Sequence, residues 1–187
     1  MTFCHKSALA LCLLVNWGST IAQAHSSHQH EAHVHGVAEL LIVLEGQQLD
    51  IELVSPAVNL LGFEHRANTP EERKTIKSAN RTFANAGNVF QLNAQACQLK
   101  EYQQNFDSII DTTSDSADHD SHGHRKKHSN IKVLYRYTCK QKTKLSTIKT
   151  SIFSKFPKLE QLEVQWIVNG RQGAAILDNS QRLLNFR

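Results

Sequence analysis

Two stretches of this chain cannot help to build a hydrophobic core. Residues 25–36 read HSSHQHEAHVHG and residues 111–130 read DTTSDSADHDSHGHRKKHSN, both polar and without a sustained helix or strand period. Of the eleven histidines, His5 lies near the start of the chain and His65 stands alone. The other nine fall within His25–His35 and His119–His128. Whatever folds must therefore be assembled from the sequence between and after these stretches.

The first residues bear on the compartment. Lys6 precedes an uncharged apolar run from Ser7 to Val15, and the segment closes with Ala22-Gln23-Ala24, the pattern of a signal peptide over residues 1–24. The run is too short for the roughly 20 residues of a membrane-spanning helix, so stable membrane insertion after cleavage is not expected. A lipoprotein reading would use Cys12, but Leu11 is bulky where such sites take a small residue. The expected organisation is a leader over 1–24, a flexible histidine-rich tail over 25–36, and one domain over 37–187 with a disordered insert at 111–130.

With the leader go Cys4 and Cys12, which leaves Cys97 and Cys139. In an oxidising compartment a disulfide is the default, and in the chain-entropy model it stabilises by about 4 kcal/mol. The alternative makes the two thiolates metal ligands, although they lack the close spacing of structural zinc sites. If they are bonded, the bridge clamps the strands on either side of the insert and is expected to hold the insert's ends close.

Periodicity supplies the fold class. Val37–Leu44 and Gln48–Ser55 alternate apolar and polar residues about Glu45-Gly46-Gln47, the signature of a hairpin. The connection SPAVNLLGFEH, residues 55–65, is too apolar for a free loop and should pack on the sheet. Thr69, Pro70 and Glu72 predict a capped helix with Ile76, Ala79 and Phe83 buried and Gly87 near its end. Cys97–Asp107 and Ile131–Cys139 read as strands. Leu145, Ile148, Ile152 and Phe156 fall at helical spacing before Pro157, so a second helix is expected there. Leu162–Val168 and Gly173–Leu177 flank Asn169-Gly170-Arg171-Gln172, a second hairpin. Together these predict an α+β domain: a mainly antiparallel sheet, two helices, one disulfide and a long histidine-rich loop.

The histidine clusters carry the chemistry. Neutral imidazole is a common ligand for zinc, copper and nickel, and alternate residues of an extended chain point the same way. His28 with His30, His33 with His35, and His122 with His124 are thus ready chelating pairs, joined by His119 and His128, with Asp118 and Asp120 beside His119. The bland alternative is a solvated tract of biased composition. Zn2+ suits imidazole and carboxylate donors, whereas the Irving–Williams order favours copper at the same ligands. His65, directly after Glu64, could meet His33 and His35 at one edge of the sheet.

Other classes fit poorly. The net charge of +4 is spread along the chain without interleaved aromatics, so nucleic acid is not an expected partner. His30-Glu31-Ala32-His33 fails as a zinc-protease motif because the second histidine would have to replace Val34. The chain holds no Gly-x-Ser-x-Gly elbow or phosphate loop, and the isolated carboxylates Glu39, Glu52 and Glu64, which could support a metal ligand or catalysis, read more readily as solvated strand faces, so it is not expected to be an enzyme. A hydrolase would need three ordered ligands and an open water position.

HVHGVAELLIVLEG, SPAVNLLGFEH, the two cysteines flanking a histidine-rich insert, and LEVQWIVNGRQGAAIL together resemble the ZrgA-like family of zinc-regulated periplasmic zinc-binding proteins of gamma-proteobacteria. The resemblance covers nearly all of the chain after the leader. It implies a periplasmic zinc binder expressed under zinc limitation and associated with zinc uptake through an ABC-type, export-like or Lol-like, transport component. It also makes His35, Glu64 and His65 the best ordered candidate ligands. A cell-envelope interaction or structural module whose histidines only buffer metal is the competing expectation.

Overall fold

The computed structural model describes residues 34–93, 97–106, 109–110, 129–140 and 144–186, all within the compact unit Ala32–Arg187. The expected leader, most of the tail, and the insert up to His128 lie outside the described residues.

The first hairpin forms as its alternation predicts. Strand β1, Val37–Glu45, pairs antiparallel with β2, Gln48–Pro56, from Glu39↔Val54 to Glu45↔Gln48. Gly46, at φ 60°, makes the turn in a conformation that other L residues resist. Ala38, Leu40, Ile42 and Leu44 of β1 and Leu49, Ile51 and Leu53 of β2 are all buried. Burying each of the larger side chains contributes about 1.5–3 kcal/mol relative to exposure.

The connection after β2 packs on the sheet as a short helix, α1, Ala57–Leu61. Helix α2, Pro70–Ala84, has the full capping box: Thr69 Oγ1 accepts from Glu72 N at 3.1 Å, and Glu72 Oε2 accepts from Thr69 N at 3.0 Å. Its buried face is Ile76, Ala79 and Phe83. A single 3-10 turn, Ala86–Asn88, holds the glycine expected to stop the helix, and β3, Phe90–Leu92, follows.

β4, Cys97–Asn105, and β5, Asn130–Cys139, form the long-looped hairpin around the insert. After β6, Thr147–Thr150, and α3, Ile152–Lys155, come β7, Gln161–Val168, β8, Arg171–Asp178, and β9, Leu183–Asn185. One sheet runs β4-β5-β2-β1-β7-β8 and the other β3-β6-β9. Every pairing is antiparallel except β1 with β7. The architecture is therefore mainly antiparallel.

The core lies between the inner face of the six-stranded sheet and a layer built from α2, α3 and the smaller sheet. Tyr135 of β5 marks the contact: its hydroxyl donates to Phe83 O at 2.7 Å, and its ring meets Phe90 edge-on at 6.0 Å. Phe83 in turn stacks on Phe156 at 4.8 Å.

Three details differ from the sequence reading. The segment expected as one helix from Leu145 to Phe156 is a strand followed by a short helix, and α1 in the connection after β2 brings the α-helices among the described residues to three rather than two. Leu145, Ile148, Ile152 and Phe156 are still the buried residues, but β-branched Thr147, Ile148 and Thr150 favour the extended form, in which β6 pairs with both β3 and β9. Thr150 Oγ1 then accepts from Ile152 N at 3.1 Å as the chain turns into α3.

The second hairpin turn is tighter than its sequence signal, with only Asn169 and Gly170, at φ 54° and 74°, outside the strands. This is the two-residue geometry that suits the strand twist.

The third difference concerns the bridge. Cys97 and Cys139 are bonded, and they face each other across β4 and β5 at the end opposite the insert. The bond closes the open end of the hairpin instead of holding the insert's own ends together.

Candidate metal site

The strand registers give the large sheet two unlike ends. At one end are the tight turns Glu45↔Gln48 and Val168↔Arg171 and the disulfide. The other end gathers the start of β1, the end of β2, the start of β5, the end of β4 and the start of β7. The candidate donors among the described residues, His35, Glu64 and His65, lie at this second end.

His35 sits on the turn that leads into β1, where Val37 N donates to Val34 O at 3.1 Å. Gly36 takes φ 86° and has little room for a side chain, because a Cβ there would lie 3.3 Å from the Glu160 carboxylate. Its carbonyl accepts from both Glu160 N and Gln161 N, at 2.7 and 2.9 Å. From α1, the buried Asn59 completes the turn. Asn59 Oδ1 accepts from Gly36 N at 2.8 Å, and its Nδ2 donates to Val37 O at 2.8 Å and to Ser55 Oγ at 3.3 Å.

Helix α1 ends at Gly62, φ 90°, whose N–H donates to Val58 O at 2.9 Å. This left-handed cap redirects the chain into Phe63-Glu64-His65. Glu64 is thereby brought to His35, with Oε1 3.4 Å from His35 Nε2. The imidazole is 62% exposed and the carboxylate only 19%.

The distance has chemical content. It is longer than the roughly 2.7–2.9 Å of a strong charge-assisted hydrogen bond. Two ligands held about 2.0–2.2 Å from a tetrahedral zinc ion stand about 3.3–3.6 Å apart, so the two atoms already have the spacing of one edge of such a site.

His65 points elsewhere. Its Nε2 lies 3.4 Å from Glu72 Oε1, its Nδ1 is 2.9 Å from Arg66 O, and its ring stacks on Phe63 at 5.2 Å. Nδ1 is thus the nitrogen turned to the Arg66 carbonyl and Nε2 the one turned to the carboxylate. Glu72 also caps α2, and its carboxyl lies below the ordinary 4.5, chiefly because it accepts from the backbone N–H groups of Thr69 and Asn68. The spacing of His65 and Glu72 equals that of His35 and Glu64, so spacing alone does not distinguish the two pairs.

Among the candidates from sequence, the structure thus brings His35 to Glu64 and directs His65 to α2. His28, His30, His33, His119, His122, His124 and His128 lie outside the described residues. Among the described residues, no three His, Cys, Asp or Glu side chains converge as a metal would require. Cys97 and Cys139 are consumed by their mutual bond.

Sequence reasoning passed over Asn59 and the partnership of Glu72 with His65. Asn59 had a visible signal, being a polar residue in the middle of the apolar run AVNLL.

Fold and site together define a mixed-sheet domain that presents histidine–carboxylate pairs beside its first strand connection. The sequence model of the ZrgA family zinc uptake protein matches residues 32–186, and the chain belongs to that family. Its role accordingly lies in zinc uptake. No curated protein matches the chain. Among the described residues, no helix is long and apolar enough to cross a membrane.

Proposed function

We propose that this chain is a periplasmic zinc-capture protein, exported by its leader, that gathers Zn2+ on its histidine clusters and passes it through the His35–Glu64 pair to an ABC-type transporter component. Zinc is here the cargo, and the chain is a carrier without catalytic chemistry.

One observation carries the reading: the histidine-bearing segments join the fold at the end of the sheet where His35 and Glu64 stand. The tail arrives through Val34, one residue before His35. The insert leaves after Ile109, whose carbonyl accepts from Ala67 N at 2.9 Å, and returns at Ser129, whose carbonyl accepts from Ala57 N at 2.8 Å. Ala57 and Ala67 bracket the segment that carries Asn59, Glu64 and His65.

The arrangement favours capture by effective concentration. A mobile imidazole binds weakly by itself, because ordering it costs conformational entropy. Tethered next to a fixed pair, it meets a metal already held by two donors, and the later ligands bind as intramolecular events.

The test is a competitive zinc titration of the chain without residues 1–24, against a fluorescent chelator. The parent should hold zinc more tightly than a variant with His28, His30, His33, His119, His122, His124 and His128 changed to serine. His35→Ala with Glu64→Gln should weaken the tightest site further. Equal affinity in all three proteins refutes the proposal and favours an envelope module that merely carries histidines.

A further inference from the structure

The turn that bears His35 is fixed far more firmly than an exposed side chain requires. Asn59 is 2% exposed, and its amide grips the turn on both sides of Gly36, accepting from the Gly36 N–H and donating to the Val37 carbonyl. The Gly36 N–H can only donate and the Val37 carbonyl only accept, which fixes the orientation of the amide, and a third bond from Nδ2 to Ser55 Oγ completes its set. Ser55 is itself fully buried and donates to Pro56 O at 3.1 Å.

A buried amide is costly unless its bonds are made, and here the oxygen and both N–H groups of Asn59 are paired, two of the three bonds going to the turn. What the amide adds is a link between two chain segments. One carries His35, and the other, five residues beyond Asn59, carries Glu64. Gly62 turns the second segment back toward the first, and the backbone of Glu160 and Gln161 holds the Gly36 carbonyl from the far side.

We propose that Asn59 is a positioning residue for zinc: without touching the metal, it fixes the separation of His35 Nε2 and Glu64 Oε1 at the edge length of a tetrahedral site. The proposal rests on the zinc-capture reading of that pair. Residues that orient metal ligands from behind typically change affinity by about 10- to 100-fold, because a donor pair that must first be ordered binds more weakly than one already placed.

The experiment follows individual imidazoles by NMR in the chain lacking residues 1–24, titrated with zinc alone. Asn59→Ala is compared with Leu49→Ala, a core truncation near the opposite end of the sheet that controls for lost stability. In Asn59→Ala the His35 resonances should require about tenfold more zinc to shift. In Leu49→Ala they should titrate as in the parent. Equal weakening in both variants, or none in Asn59→Ala, overturns the proposal.

A metal-free readout separates this claim from the one beneath it. Without zinc, the cross-peak between the His35 ring and the Glu64 methylene protons should be present in the parent and in Leu49→Ala and lost in Asn59→Ala. Its retention in Asn59→Ala overturns the positioning role. If parent His35 ignores zinc while the cross-peak still depends on Asn59, the zinc reading of the pair fails and the positioning of His35 stands. Should Asn59→Ala not fold, Asn59→Ser, which leaves space for a water beside the turn, is judged by the same two criteria.

Discussion

At the scale of single residues, the informative positions are those where the backbone admits one solution. Gly173 on β8 lies against the Trp166 indole, and a Cβ there would come within 2.5 Å of the ring. Trp166 also meets Phe186 edge-on at 5.3 Å, so the ring cannot withdraw without disturbing the carboxyl-terminal packing. Gly173→Ala should cost about 1–3 kcal/mol in urea unfolding, with an unchanged denaturant slope. Glu72 supplies the pH dependence at this scale. Its folded pKa is depressed, so its contribution is present above the unfolded value and is lost as pH falls through the folded one. Stability should therefore decline below about pH 4.5, and Glu72→Gln should flatten that decline in acid-unfolding curves followed by circular dichroism. Asn59 shows what sequence patterning conceals. Its composition cue was present, but the target of its amide lies 22 and 23 residues away and becomes visible only once α1 is folded onto β1.

Among elements, both hairpins and the capped helix were legible because each rests on local rules: alternation, a glycine turn, and a cap with its reciprocal carboxylate. The Leu145–Phe156 segment was not. Its apolar spacing fits a helix, yet a strand followed by a single helical turn buries the same four side chains, and long-range pairing with β3 and β9 decides between them. Strands β3 and β9, three residues each, are too short to show a period. The β4–β5 hairpin gives the clearest prediction at this scale. β4 lies at the edge of the sheet, faces solvent along much of its length and is tied to β5 by the disulfide. Replacing both cysteines by serine removes a cross-link spanning 42 residues and should destabilise by about 4 kcal/mol in the chain-entropy model. Hydrogen exchange should then show β4 opening ahead of β1 and β2. If β4 is as protected as the central strands in that variant, the clamp does not hold the edge.

For the whole molecule, the sequence disclosed the ingredients of the site but not their arrangement. His35, Glu64 and His65 stood out by residue type, while the division into a His35–Glu64 pair and a His65–Glu72 pair depends on the direction in which Gly62 sends the chain. Family membership supports a role in zinc uptake, and the proposed capture by imidazoles makes that role sensitive to acid. Each ligating imidazole must be deprotonated, so with a reference pKa near 6.5 zinc retention should collapse between about pH 7 and pH 5. Equilibrium dialysis across that interval measures it, and equal retention at both limits would rule out histidine as the main ligand.

The one-sided layout of the large sheet also bears on how such a chain can vary. Strand alignment is dictated where the tight turns and the cystine lie, at the end of the sheet opposite the points where both polar stretches join it. Lengthening a tethered loop is cheap, about 0.6 kcal/mol for each doubling. Histidines can thus be gained or lost from either stretch without shifting a single rung of the ladder, so that, on the proposed capture reading, metal capacity is free to drift while the scaffold beneath stays unchanged.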